Sequence, residues 1–392
     1  MAGKSIYAAV QKSMLLARHK KRKCKMSGEI NEFSFSFREN FPRVMKGVCG
    51  SCMEDPLGEC SLVRMADKPF FIVPENMPDG FREKIKRLFP EPAEKIYYAL
   101  PASESAKNIS ETEKLCAFLY EKGCSRNSVL VACGGGTVTD SAGFAASVYM
   151  RGIRWISVPT TFLGQIDAGI GGKTGVNLSA GKNIIGSFWQ PSAIVLETDF
   201  LSTLPAAELR SGAGELVKYA LLMQPEEGRA LREAVPEVLK GSAEALKMCV
   251  SICANMKLRL AGRDERDQFS IREKLNLGHT AGHAIEAMSA GKMSHGEAVA
   301  HGLRFAILLS EKKCLLPADK AEEMLALTAS LALPESSGWQ NDFGRFMSLV
   351  RRDKKAAGAS NRFVLLRDYG ITETAENIDE SLLRQVYEEI AE

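Results

Sequence analysis

Four of the five histidines in this chain, His279, His283, His295 and His301, fall within residues 279–301. Imidazoles gathered this closely suit a metal ion or a proton transfer. Arg272, Asn276, His279, His283 and Glu286 are spaced 4, 3, 4 and 3 residues apart. On helical geometry that spacing predicts one shared face carrying ligands and donors. Gly278 and Gly282 remove bulk beside the histidines, so another element or a ligand can come close. On spacing alone the pair His279 and His283 is the first ligand choice, and His301 is the bystander. A metal also needs donors from elsewhere in the chain. His295, in the sequence SHGE, stands at an expected helix start. Glu215, in GAGELVKY with Lys218 one turn on, requires a cation or metal partner if its apolar helix is buried. One carboxylate and two imidazoles leave a coordination position open, as a catalytic zinc site requires.

Two glycine-rich stretches suggest anion chemistry. Residues 128–133 (SVLVAC) run into Gly134, Gly135 and Gly136, with a helix beginning near Thr137. Such a turn lets backbone approach a pyrophosphate at a helix N-terminus, although it is not a GxGxxG fingerprint. Glu75 ends an earlier strand, where a carboxylate can bond a ribose diol and disfavours a 2′-phosphate, so NAD is favoured over NADP. Thr160 and Thr161 end another strand and suit either ligand contact or helix capping. Residues 171–177 (GGKTGVN), followed by Gly181, Lys182 and Asn183, read as a basic loop for a phosphate or carboxylate, or as simple turns. Asp167 lies just upstream as a partner for the cofactor or metal region, and Lys257, Arg272, Lys354 and Lys355 add cations from further along.

The elements that must carry these groups divide in two. Short apolar runs near 70–73, 95–99, 128–133, 153–158 and 193–196 alternate with helical stretches, which predicts a parallel sheet covered on both faces. Beyond Leu204 helical signals dominate, interrupted by a strand near 362–366. The expected division is an N-terminal extension over 1–65, partly flexible with a first strand near 32–37, an α/β domain over 66–200 and an α-helical domain over 201–392, with a ligand cleft between the last two. Lys and Arg number 51 against 48 Asp and Glu, a net charge of +3 that lends no support to nucleic-acid or membrane binding. No apolar run reaches the roughly 18 residues of a membrane helix. The N-terminal order of apolar patch then basic run is the reverse of a signal peptide. Ten scattered cysteines suit reduced thiols in the cytoplasm.

The motifs GGGTVTDSAGFAASVYMRG, VPTTFLGQIDAGIGGKTGVN, AGKNIIG, GELVKYALL, LNLGHTAGHAIE and SHGEAVAHG stand in the order found in 3-dehydroquinate synthases. From about Phe70 to Gly370 the chain resembles that family. The resemblance implies a Rossmann-like, NAD-binding α/β domain followed by an all-α domain. It implies a carbon–oxygen lyase turning the small phosphorylated keto acid DAHP into 3-dehydroquinate and phosphate, through transient oxidation, elimination, reduction and aldol closure. Metal ligands then fall on Glu215, His279 and His295, with zinc usual and cobalt a possible substitute, and His283 becomes a neighbour in the proton network. Substrate contacts fall on Asp167, Lys173, Asn183, Lys218, Lys257, Arg272, Asn276 and Lys354, and Arg151 reaches a partner subunit's site, which implies a homodimer. NAD contacts fall on Glu75, Glu104, Lys107, Gly135, Gly136, Thr137, Asp140, Thr160, Thr161, Asp167, Lys182, Thr203, Leu204 and Glu208. Glu75 stands where the family has aspartate, Ser103 where it has glycine, and one residue is inserted near Phe269. The alternatives are another sugar-phosphate cyclase, such as one acting on sedoheptulose 7-phosphate, and a metal-dependent polyol dehydrogenase.

Overall fold

The computed structural model describes residues 31–37, 43–50, 68–90, 95–101, 103–179, 181–333, 338–354 and 361–392, without side chains for 31–37, 43–50, 353 and 354. The expectations for residues 1–30 and for the cysteines at 52 and 60 lie outside this set.

Seven strands form the main sheet, in the order β1 (Asn31–Phe37), β2 (Arg43–Gly50), β9 (Ala193–Glu197), β6 (Arg154–Pro159), β5 (Val129–Gly134), β3 (Pro69–Pro74) and β4 (Ile96–Leu100). β1 is antiparallel to β2, and the other neighbours pair in parallel. Parallel strands need covered faces, and successive side chains point to opposite ones. Phe71, Val131 and Ile156 pack with Phe81, Ile85 and Leu88 of α1 (Phe81–Leu88). Phe70, Leu130 and Trp155 pack with α2 (Ile109–Glu121) and α3 (Gly136–Val148) on the other side. β9 is where the two halves of the molecule join. Its Ala193 and Val195 belong to the α1 face, whereas Ile194 and Leu196 enter a core shared with the helical half.

That half contains α4 (Ala206–Leu222), α5 (Pro225–Leu239), α6 (Ala243–Arg263), α7 (His279–Met288), α8 (His295–Lys312), α9 (Ala318–Ala329), α10 (Phe343–Lys354) and α11 (Glu380–Ala391). The hairpin of β10 (Arg362–Asp368) and β11 (Ile371–Glu376) interrupts them. Among the described residues no helix is long and apolar enough to cross a membrane.

Two local expectations change. The basic stretch after residue 171 is not a loop but an antiparallel hairpin, β7 (Lys173–Leu178) with β8 (Gly181–Phe188), lying on α3. Its glycines and lysines depress the strand signal, while Thr174 and Val176 still point inward. Nor do Arg272 and Asn276 share a helix with His279. The chain makes a short 3₁₀ turn at Glu273–Asn276, reverses at Gly278 with φ 76°, and only then starts α7. A side chain at Gly278 would meet the Leu303 backbone nitrogen at 2.9 Å, so α8 packs against the break.

His301 is buried on α8, edge-on to Trp339 with 5.3 Å between ring centroids, and among the described residues its Nδ1 has no hydrogen-bond partner. Burial, with Arg304 nearby, pushes its pKa down to about 4. An unfolded histidine titrates near ~6.5, so the folded chain binds fewer protons between the two values. Its contribution is fully present above that window and is lost as pH falls through it. His301→Phe, which keeps the ring contact, should remove on the order of 3 kcal/mol of the acid destabilisation between pH ~7 and ~4. Denaturant unfolding at the two pH values checks this; an unaltered pH dependence contradicts it.

Candidate functional site

The centre of the molecule is a crossing of α4 and α8. An ideal Cβ at Gly214 would lie 2.0 Å from the Gly296 carbonyl oxygen, and one at Gly296 would lie 1.6 Å from that of Ser211. The helices therefore touch backbone to backbone. Ser294 caps α8 by accepting from the Glu297 N–H, and Glu297 returns a carboxylate to the Ser294 N–H at 3.0 Å. This box fixes His295 as the first residue of its helix. Glu215, fully buried on α4, then places Oε1 3.2 Å from Nε2 of His279 and 3.3 Å from Nε2 of His295.

Both rings are held from behind. His279 Nδ1 lies 3.1 Å from the Leu277 carbonyl, and His295 Nδ1 lies 3.0 Å from Glu286 Oε2. Imidazoles anchored at Nδ1 with Nε2 turned inward are the usual arrangement of metal-ligating histidines. Among the described residues, neither Glu215 oxygen receives a well-directed hydrogen bond. A buried carboxylate whose Oε1 faces two imidazole nitrogens fits a divalent cation. The histidine pair singled out by spacing also stays close, since donor atoms of His279, His283 and His295 lie within 4.8 Å of one another. His283 is exposed, however, whereas Glu215 is buried within 3.3 Å of both other rings. Glu215 is therefore the better third donor, and His283 stands at the exposed rim.

Charge alternates away from this point. Lys218 Nζ lies 2.5 Å from Glu215 Oε2 and 3.8 Å from Asp167 Oδ1. Lys257 Nζ lies 2.8 Å from the same Asp167 oxygen and donates to the Asp167 carbonyl at 2.7 Å. The Tyr219 hydroxyl donates to Asp167 Oδ1 at 2.5 Å. Burial alone would raise Glu215, but Lys218 and His279 outweigh it and hold its carboxyl well below the usual range. Burial likewise opposes ionisation of Asp167, yet Lys218 and Lys257 bring it to about 2. Burial is the main cause that lowers Lys257 to about 8. For His295 burial works against the charge, but the adjacent carboxylates of Glu215 and Glu286 carry it up to about 10. The carboxylates that strengthen its hold on a proton would strengthen its hold on a metal ion. Arg272, buried, donates to the carbonyls of Gly171 at 3.3 Å and Glu265 at 3.0 Å. Lys173 forms an ion pair with Asp267, and Asn276 is half-buried on the turn before α7.

On the sheet side, Gly135 approaches Thr161, whose Cγ2 would lie 3.1 Å from an added Cβ. Thr160 N–H donates to the Gly134 carbonyl, and Thr161 Oγ1 accepts from Gly164 N–H at 3.1 Å, which is the capping role. Lys107, buried, donates to Asp140 at 2.5 Å and to Asn183 at 2.6 Å. Glu104 accepts from Asn177 at 2.7 Å and from Thr137 at 3.5 Å. A cavity of about 470 Å³ lies here, lined by Glu104, Lys107, Asn108, Asn177, Gly181 and Lys182. Lys182 reaches across to Glu286, Nζ to Oε1 at 2.5 Å. Glu75, Thr203, Leu204 and Glu208 do not line this cavity; Glu75 follows β3, Thr203 and Leu204 join β9 to α4, and Glu208 lies in the first turn of α4. Arg151 is exposed beyond the far end of α3, about 20 Å from Gly136 at helical rise. Lys354 ends α10, and its side chain is outside the described set.

Tyr219, Asp267 and the role of Glu286 escaped the sequence reading. Glu286 stood in the histidine stripe, seven residues after His279, and that spacing was its signal. Tyr219 and Asp267 carry no local pattern.

Two family models match the chain, 3-dehydroquinate synthase N-terminal over residues 97–211 and 3-dehydroquinate synthase C-terminal over residues 212–356. The chain belongs to the 3-dehydroquinate synthase family. Relatives in that family include 3-dehydroquinate synthases from Shouchella clausii, 42% identical over 74% of this chain and 81% of that protein, and from Buchnera aphidicola, 40% identical over 72% and 80%. Among solved structures, 2-deoxy-scyllo-inosose synthase with carbaglucose-6-phosphate, NAD+ and Co2+ superimposes with a TM-score of 0.83 at 24% identity, covering 92% of this chain and all of that one. 2-epi-5-epi-valiolone synthase from Streptomyces hygroscopicus with NAD+ and Zn2+ gives 0.74 at 23%, covering 86% and 95%. These likenesses show a shared fold, and the boundary between the two family models falls inside α4.

In this member of the synthase family the α4–α8 contact leaves no room for a methyl group. Gly296→Ala should therefore push the helices apart and destabilise the protein by roughly 1–3 kcal/mol. Because His295 is the preceding residue, retained metal should fall as well. Thermal unfolding and metal analysis after dialysis check both effects; a fully stable, metal-replete variant would contradict the packing argument.

Proposed function

We propose that this chain is a 3-dehydroquinate synthase that uses NAD and one divalent metal ion, zinc or cobalt, to convert DAHP to 3-dehydroquinate and phosphate. The observation carrying this reading is the buried Glu215 carboxylate facing His279 and His295 at 3.2 and 3.3 Å beside a shell of buried cations. Glu215, His279 and His295 hold the metal ion. Gly135 and Gly136, with Glu104, Lys107, Thr137, Asp140, Thr160, Thr161 and Lys182, hold the dinucleotide, and Glu75, Thr203, Leu204 and Glu208 extend its binding edge. When bound, NAD supplies a temporary hydride acceptor, and the metal ion supplies Lewis acidity at the hydroxyl to be oxidised.

The chain's own groups bind and orient the substrate. A buried carboxylate, Glu215, and a half-buried one, Asp167, face three buried cations, Lys218, Lys257 and Arg272. The surplus positive charge suits a substrate bearing both carboxylate and phosphate. Lys173, Asn183, Asn276 and Lys354 complete its anchoring. Asp167 keeps Lys257 charged and aimed, with Tyr219 fixing Asp167 in turn. His283, exposed at the rim, is the group placed to pass a proton to or from the departing phosphate oxygens. The elimination breaks a carbon–oxygen bond, which makes the enzyme a lyase. Arg151, exposed beyond the far end of α3, would serve the site of a second copy in a homodimeric active form. The free thiols of Cys116, Cys124, Cys249 and Cys253 accord with a cytoplasmic enzyme.

Phosphate release from DAHP, abolished by a chelator and restored by zinc or cobalt, tests the reading. No NADH should accumulate. Turnover of sedoheptulose 7-phosphate in place of DAHP would assign a different cyclase, and NADH rising with product would assign a dehydrogenase.

A second expectation concerns pH. Lys257 must keep its proton to hold an anion, and its pKa lies at about 8. KM for the anionic substrate should therefore rise as pH increases through about 8. Lys257→Arg should move that rise to higher pH. A wild-type KM flat between pH ~7 and ~9.5 would remove Lys257 from anion binding.

A further inference from the structure

Glu286 stands behind one of the two candidate ligand histidines. Its Oε2 lies 3.0 Å from His295 Nδ1, leaving His295 Nε2 directed at Glu215 Oε1, 3.3 Å away. Its other oxygen, Oε1, takes Lys182 Nζ at 2.5 Å. The Glu286 side chain is only 13% exposed, so its charge is not dispersed by water. The two candidate imidazole ligands are thus supported differently: His279 by the neutral carbonyl of Leu277, His295 by a carboxylate. A carboxylate behind an imidazole fixes the tautomer and raises ligand basicity, and its loss costs 10–100-fold in metal affinity. Lys182 comes from β8, in the sheet half, whereas Glu286 and His295 belong to the helical half. Lys182 also lines the cavity beside Glu104 and Lys107.

We propose that Glu286 is the positioning residue of the metal site, holding His295 as a ligand, and that Lys182 braces Glu286 from the cofactor side. The proposal rests on the reading of Glu215, His279 and His295 as metal ligands. Glu286 itself touches neither substrate nor metal.

The test uses the full chain stripped of metal and titrated with Co2+, read by its visible absorption, and with Zn2+, read by competition with a chromophoric chelator. Glu286→Ala should weaken binding by about 10–100-fold. Glu286→Gln, which keeps shape and an acceptor but not charge, should weaken it less, and Lys182→Met should act in the same direction and least. The cobalt spectrum of the Glu286 variants should shift relative to wild type, since the field at the ion changes. Unfolding midpoints of the metal-free proteins separate positioning from scaffolding. Equal losses of midpoint in Glu286→Gln and Lys182→Met, with wild-type affinity and spectrum, would show a mere strut and overturn the proposal. Failure of Glu286→Ala to fold leaves Glu286→Gln to decide. Absence of cobalt binding by wild type, with His295→Ala indistinguishable from it, would instead overturn the metal site itself.

Discussion

Glu215 carries a charge at a point with no access to water, and the surrounding architecture follows from that single fact. An ionised carboxylate so placed costs several kcal/mol unless neighbours compensate it. Lys218 does so on one side and the two imidazoles on the other. Lys218 is itself buried and so needs Asp167, which in turn draws in Lys257 and Tyr219. Each member solves the desolvation problem of the one before it. The chain of alternating charge ends on a lysine and, close by, on Arg272, so it presents positive charge to whatever enters. The proposed metal-binding corner and the proposed anion-binding corner are two ends of one network.

Such a network demands close helices. Ordinary helix pairs stand about 8–10 Å apart, too far for short side chains on three helices to meet at one point. Gly214 and Gly296 remove that separation where α4 crosses α8, and Gly278 and Gly302 do the same where the chain enters α7. With backbones in contact, Glu215, His279 and His295 converge without any long or flexible side chain. The proposed ligands inherit the rigidity of packed helices rather than the freedom of loops.

The sheet was legible because parallel strands buried on both faces are continuous apolar runs, as VLVAC and ISVP are. Glu215 was legible as a carboxylate in a mostly apolar helix, and His295 as a histidine at an expected helix start. The 4-3-4-3 spacing misled because periodicity reports angular position only while the helix continues. Gly278 ends it through a contact with α8, about 25 residues further on, which no local window contains. The hairpin at 173–188 was hidden for the opposite reason: lysines and glycines dilute its alternation, and its pairing rather than its composition defines it. Contacts such as Lys182 with Glu286, or Tyr219 with Asp167, join residues far apart in sequence and exist only once the halves have met.

How the halves meet has two layers of different strength. At the base, Ile194 and Leu196 of β9, with Phe162 and Ile166, share one core with α4 and α6. That apolar contact is continuous and fixes their relation. At the mouth, the crossing contacts are the ion pairs Lys182–Glu286 and Lys173–Asp267, whose lysines are 53% and 51% exposed. Exposed pairs of this kind contribute about 0–1 kcal/mol each. A phosphate or carboxylate arriving at the mouth can therefore draw either lysine to itself without disturbing the base. Firm packing below and weak pairing above would leave the relation of the halves fixed while the lysines at the mouth turn toward a charged ligand.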